Sequence, residues 1–289
     1  MTSRTIITGI PSTVKKSVGV LFFIGCITNA IPLGDFINLS ALTIVIIPTI
    51  FSALWLKLKV GFPVGKFLML TSVPVGILMT LFGMHTILQN IGDFGKYLGS
   101  GAAVMLLTVF YAVILSLVGY AIDESEEGLK YKADIKAFLL PVILLLLMMI
   151  WAIQLSVGSE EFLSTYFSAE VASIFLGVFC LLLLGKMKIR IGRALVDTSI
   201  IGIMFSLIIA LVGWFNELSP GEIPIDALNI ATLGMIYGSL IFIASFYTSI
   251  ITQEASEINF GVKNWHLIEL AALYILLVFA PPSIFEVFS

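Results

Sequence analysis

Nine apolar stretches follow one another along the chain, at 16–34, 39–58, 66–90, 100–122, 135–156, 168–186, 194–216, 226–252 and 264–280. Their lengths centre on the roughly 20 residues that cross a hydrocarbon core of about 30 Å as α-helix. Charged residues make up 11% of the chain, whereas soluble domains carry about 25% and need them to cover their surface. No ten-residue segments of alternating polarity appear, which argues against a membrane β-barrel. The predicted fold class is therefore all-α: a polytopic membrane protein of about nine transmembrane helices. The first apolar block starts near Ser17, and no small-residue cleavage site precedes the second, so no cleaved signal is expected. The two cysteines, Cys26 and Cys180, both fall inside apolar blocks, so no disulfide framework is expected.

Lysine and arginine sort to one side of these spans. Arg4, Lys15, Lys16, Lys57, Lys59, Lys66, Lys130, Lys132, Lys136, Lys186, Lys188, Arg190, Arg193 and Lys263 fall on one face, and Lys96 alone on the other. Cytoplasmic loops carry the excess of basic residues in membrane proteins. This predicts a multi-pass protein of the cell inner (plasma) membrane, with its N-terminus cytoplasmic and its C-terminus outside. The links are short, and no GxxxxGK[ST] motif occurs. A soluble catalytic or nucleotide-binding domain has no room, and no nucleic-acid partner is expected.

The stretch from Gly99 to Asp123 returns faintly from Ile225 to Ser249, 126 residues later. Laid at that offset without a gap, 72–115 matches 198–241 at seven of 44 positions, among them Gly76/Gly202, Leu107/Leu233 and Tyr111/Tyr237. The organisation says more than the identities. Both sets of four spans have a basic turn after the second span and an acidic, glycine-containing turn after the third. The expected division is a first four-helix repeat at 1–125, a cytoplasmic linker at 126–136, a second repeat at 137–255 and a C-terminal transmembrane helix at 256–289. Four spans is an even number, so the two repeats run parallel, unlike the inverted repeats of many transporters.

"LGSGAAVMLLTVFYAVIL" (Leu98–Leu115) resembles the last helix of the MotA/TolQ/ExbB family, proton-channel subunits of ion-driven motors. "GILMTLFGMHTILQNIGD" (Gly76–Asp93) resembles that family's third helix, and "FINLSALTIVIIPTIFSAL" (Phe36–Leu54) the helix after its proline-containing turn. The resemblance implies a tandem-duplicated A-type subunit. Such subunits form homo-oligomeric rings around a single-span partner whose intramembrane Asp takes the ion, while the A-type helices supply hydroxyls. Two features differ from the family. Only "KLKVGFPVGK" (Lys57–Lys66) stands where its large cytoplasmic domain lies, and Thr108-Val109 and Gly234-Met235 replace its Thr-Thr pair.

No Asp, Glu, Lys or Arg falls near the centre of any span. An intramembrane charge usually marks a transport function, and its absence fits a subunit whose partner brings the carboxylate. It equally fits a non-conducting scaffold of the same fold, while a small-solute secondary transporter is a third reading. Candidates to line an ion path are Thr80, Thr108, Ser206, Thr232 and Asp197, against the plainer alternative that the hydroxyls bond to their own helices. For Asp197 that alternative is an interfacial acid paired with Arg193 or Arg190. Helix packing is expected of Pro74, Gly99, Gly101, Tyr111, Gly234, Tyr237 and Gly238, the last three including a GxxxG. Ser100 between Gly99 and Gly101 has only His85 and His266 as prospective bases, a poor basis for a serine nucleophile. No enzyme activity, cofactor or metal site is expected.

Overall fold

The computed structural model describes residues 14, 16–22, 25, 38–89, 94–123, 135–157, 166–185, 190–216, 225–252 and 258–288; at 86, 87, 89, 94–105, 152–157, 185, 216 and 277–288 it describes the backbone alone. The described residues are helical throughout, with no strand. We number the helices α1 (16–22), α2 (Leu39–Val60), α3 (Val64–Gln89), α4 (Phe94–Ile122), α5 (Lys136–Val157), α6 (Ala169–Gly185), α7 (Ile191–Asn216), α8 (Ile225–Ile251) and α9 (Phe260–Phe288). Four of them, α2, α3, α7 and α8, contain stretches long and apolar enough to cross a membrane. Shorter apolar stretches lie at Leu106–Ile122, Lys136–Trp151 and Ala169–Leu184.

Residues at the helix ends explain where the chain turns. The Asn38 carboxamide accepts the Ala41 N–H at 2.9 Å and starts α2, as N-cap side chains do for the first turn's orphan donors. Gly61 ends α2 at φ +76°, a left-handed conformation, and its N–H reaches back to Lys57 O at 3.0 Å. Glycine meets no Cβ penalty there. Phe62 then packs edge-on against Phe67 and Phe246, at centroid distances of 6.5 and 5.9 Å, so the three-residue turn into α3 is pinned by its own side chain.

α3 is the centre of the bundle. Its stretch Val64–His85 is 83% buried inside the protein, against 44% for Leu39–Val60 of α2. The closest helix pairs are α3 with α4 and α7 with α8, and α3 also packs on α8, α2, α5 and α9. Outward-facing apolar stripes remain, such as Met204, Phe205, Ile208, Ile209 and Val212 on α7, and Leu139, Val142, Ile143, Leu146 and Leu147 on α5. Such stripes are an aggregation hazard in water; in a bilayer they meet lipid.

Because lipid is as apolar as leucine, helix association there rests on close packing and hydrogen bonds. Prolines supply part of the second term. Pro74 and Pro141 sit inside α3 and α5, and a proline has no N–H for the carbonyl four residues before it. The carbonyls they strand are those of Leu70 and Ala137, as Pro48 of α2 strands that of Ile44. The Leu70 and Ala137 carbonyls each take a donor from another helix: Asn264 Nδ2 of α9 donates to Leu70 O at 3.0 Å, and Trp55 Nε1 of α2 donates to Ala137 O at 2.8 Å. Pro74 and Pro141 thereby turn spare carbonyls into docking points for α9 and α2.

Candidate functional site

Three of the four predicted hydroxyls, those of Thr80, Thr108 and Ser206, fall along the two tightest seams. Between α3 and α4, a Cβ added at Gly76 would lie 2.3 Å from Ala112 Cβ, so the helices approach to backbone range there. One turn further along α3, Thr80 and Thr108 meet hydroxyl to hydroxyl. Between α7 and α8 the same two register positions meet again: a Cβ at Gly234 would lie 2.3 Å from Ser206 Cβ. Position 206 stands 126 residues after 80, and 234 the same distance after 108. Where one seam holds a pair of threonines, the other holds a serine against bare backbone. Gly238, the second glycine of the GxxxG, is equally close, with Ile203 Cγ1 2.2 Å from a Cβ placed on it.

Tyr111 and Tyr237 also make one contact twice. Tyr111 Oη accepts the backbone N–H of Asn38 at 2.9 Å, and Tyr237 Oη accepts that of Ser168 at 2.9 Å. Both donors belong to the residue preceding a helix, α2 in one case and α6 in the other. Both of those residues also cap their helix, since the Ser168 hydroxyl accepts the Val171 N–H at 3.2 Å. Tyr237 in addition donates to Tyr166 O at 2.9 Å. The buried His85 ring lies 4.6 Å from that of Tyr166, which ties α3 to the turn before α6. Replacing Tyr237 with phenylalanine removes an acceptor and a donor at once. A loss of about 1–2 kcal/mol is expected, read as a lower midpoint of unfolding in detergent, with the α6 start opening first in hydrogen exchange.

Thr232 and Asp197 stand apart from these seams, and Ser206, although on one, keeps its proton within its own helix. Ser206 donates to Gly202 O at 3.0 Å and Thr232 to Leu228 O at 2.7 Å, each within its own helix. Thr232's proton is thus committed, so the Tyr274 hydroxyl of α9, 2.8 Å away, is the donor of that pair. Asp197 lies at the bundle end that carries the lysines. Its nearest cation is Lys263 of α9 at 2.7 Å, with Arg193 at 4.0 Å. The interfacial pairing expected for it therefore extends to a residue 66 positions away, and it docks α9 on α7. Pro74 serves α9 in the same way through Leu70 O. The surroundings of Gly99 and Gly101 lie outside the described residues, as does Cys26; Cys180 is a free, exposed thiol.

The bundle end nearest Asp197 is closed by rings. Phe62, Phe67, Phe246 and Phe260 are fully packed, with Phe67–Phe246 and Phe246–Phe260 centroids at 5.7 and 5.3 Å. Phe138 and Tyr247 extend the cluster at 5.4 Å. Among the described residues, no group of three or more His, Cys, Asp or Glu side chains could hold a metal ion. Chemically, the seams offer hydroxyl oxygens in an apolar setting.

No protein-family profile, curated protein or solved structure matches this chain.

The sequence reading passed over Asn264, Trp55 and Tyr274. A partial signal existed for the first two: a proline within a span strands the carbonyl four residues earlier, and a neighbouring helix can supply the missing donor. Which neighbour supplies it depends on packing that no local pattern specifies.

Proposed function

We propose that this chain is a membrane subunit of an ion-conducting or ion-motive-force-coupled complex, and that it works beside a partner helix bearing the ion-binding carboxylate. The observation that carries this reading is the Thr80–Thr108 contact: paired hydroxyls on a tight helix seam, with no intramembrane charge of the chain's own. Hydroxyls can shape and solvate an ion site, but a conducted proton also needs a titratable group, which a second protein must bring. The paired contacts of Tyr111 and Tyr237, and of 80/108 and 206/234, support a tandem duplication of two same-facing four-helix units followed by a ninth helix. In that arrangement all nine apolar segments span the inner membrane, with the N-terminus cytoplasmic, and several copies assemble around the partner. This is the arrangement implied by the MotA/TolQ/ExbB resemblance, here without the cytoplasmic domain.

The test is the mass of the intact complex, extracted in mild detergent and weighed by native mass spectrometry. A multimer retaining a small single-span protein with an intramembrane Asp is the expected result; a monomer, or a homo-oligomer alone, would sink the reading. In the assembled complex, Thr80→Val and Thr108→Val are expected to slow ion flux across vesicles at least several-fold while leaving the unfolding midpoint near that of the parent. Equal loss of both flux and stability would assign the pair to packing alone.

A second reading, a non-conducting scaffold of the same fold, is favoured by two observations. Ser206 and Thr232 spend their protons on their own helices, and phenylalanines close the lysine-rich end. A partner-containing complex that passes no ion when the membrane is energised would select it.

A further inference from the structure

A small cavity lies where the two halves of the chain meet, enclosed by Pro48, Thr49 and Ser52 of α2, Phe67, Thr71 and Val75 of α3, Leu145 of α5 and Tyr247 of α8; its volume is about 10 Å³. We propose that it is a built site for one water molecule, which joins α2, α3 and α8 inside the membrane.

The argument is a count of protons. Four hydroxyls face the cavity, and all four residues are buried. Thr49 gives its proton to Val45 O at 2.7 Å, and Thr71 gives its own to Phe67 O at 2.8 Å. Their oxygens keep lone pairs but have nothing left to donate. Ser52 and Tyr247 bring the other two hydroxyls to the lining, each with a proton of its own to give. Two acceptors and two donors thus line one small space. Water supplies the complement: it donates twice, to Thr49 and Thr71, and accepts from the Ser52 and Tyr247 hydroxyls. About two to four hydrogen bonds is the usual range for a buried water, and about 10–15 Å³ is the smallest space that holds one.

Two other occupants are disfavoured by chemistry. No carboxylate lines the space, so nothing there offsets the cost of stripping water from a cation. An empty cavity would leave the hydroxyls of four lining residues beside a void, whereas cavities that stay dry are lined by apolar groups. The site is independent of the ion-motive reading, since a scaffold would use the same water to join its halves.

X-ray radiolytic labelling of the full chain in detergent tests the site, because a bound water generates hydroxyl radicals next to the side chains it touches. With a bulk radical scavenger present and H2(18)O as solvent, Tyr247 is expected to take up 18O several-fold faster than Tyr274. Tyr274 is the matched control: 3% exposed against 7% for Tyr247, with its hydroxyl bonded to Thr232. In Thr49→Val/Thr71→Val, which keeps side-chain shape but removes both acceptors, the Tyr247 rate is expected to fall to that of Tyr274. Tyr247 labelling no faster than Tyr274 in the parent would show the cavity dry and overturn the proposal. So would a Tyr247 rate unchanged in a folded double variant. The parent comparison needs no variant and stands even if the double variant fails to fold.

Discussion

Replacing Asn264 with leucine is expected to destabilise the protein by about 1–2 kcal/mol in the parent background and to become neutral or stabilising once Pro74 is changed to alanine. The reversal follows from which groups are left unpaired. In the parent, Leu70 O has lost its helical donor to Pro74 and relies on Asn264 Nδ2 at 3.0 Å. Leucine at 264 removes that donor and leaves a buried carbonyl bare, a costly condition away from water. The loss is partly offset, because Asn264 Oδ1 is itself buried without a partner among the described residues, and leucine removes that acceptor too. With alanine at 74, the restored N–H satisfies Leu70 O from within α3. Asn264 then contributes only its unpaired oxygen, and leucine is the better neighbour. The difference between backgrounds is a coupling of about 2 kcal/mol. It is read from unfolding midpoints of the four proteins in mixed micelles. Equal effects of Asn264→Leu in both backgrounds would show that the bond to Leu70 O carries no weight in docking α9.

Much of the helical layout was legible because it depends on runs of apolar residues. The span read at 39–58 is the helix Leu39–Val60, and that read at 66–90 is Val64–Gln89. The differences have local causes. α9 starts at Phe260 rather than 264, because Asn259 caps it, its side chain accepting the Val262 N–H at 3.2 Å. A capped polar turn raises no hydropathy signal. The correspondence of 80 with 206 was visible as a repeat spacing, and so was that of Tyr111 with Tyr237. Their backbone partners were not, because an N–H of Asn38 or Ser168 has no signature in sequence. For Asp197 the sequence offered an ion path or an interfacial pairing with Arg193 or Arg190; Lys263 is brought to it by the docking of α9, which depends on the whole bundle. The cavity at Thr49, Ser52, Thr71 and Tyr247 was unreadable for the same reason: Thr49 and Ser52 share one face of α2 at i, i+3 spacing, but nothing local sets Thr71 of α3 or Tyr247 of α8 beside them.

Gly119→Ala is expected to cost about 3 kcal/mol or more, while Gly177→Ala, the same chemical change, is expected to be neutral or to stabilise by up to about 1 kcal/mol. The contrast depends on what the new methyl meets. At Gly119 on α4, a Cβ would lie 2.7 Å from Gly65 O and 2.7 Å from Met69 N of α3. Those are backbone atoms of a helix held on several sides, so no rotamer change relieves the contact and the helices must part. The reciprocal position behaves alike, since a Cβ at Gly65 would meet Asp123 N at 2.6 Å and Gly119 O at 2.7 Å. Parting them also strains the nearby bond from Ser116 Oγ to Met69 O, 3.1 Å long. At Gly177 on α6 there is no atom within 4 Å, so alanine gains helix propensity and meets open space. In a bilayer the hydrophobic effect does not pull separated helices back together, and close packing is most of what holds them. A one-methyl wedge between α3 and α4 therefore weakens the bundle at its central helix. Thermal unfolding of the purified variants in one detergent decides the matter. Midpoints that fall together for Gly119→Ala and Gly177→Ala would mean the α3–α4 crossing is looser than the geometry at Gly65 and Gly119 requires.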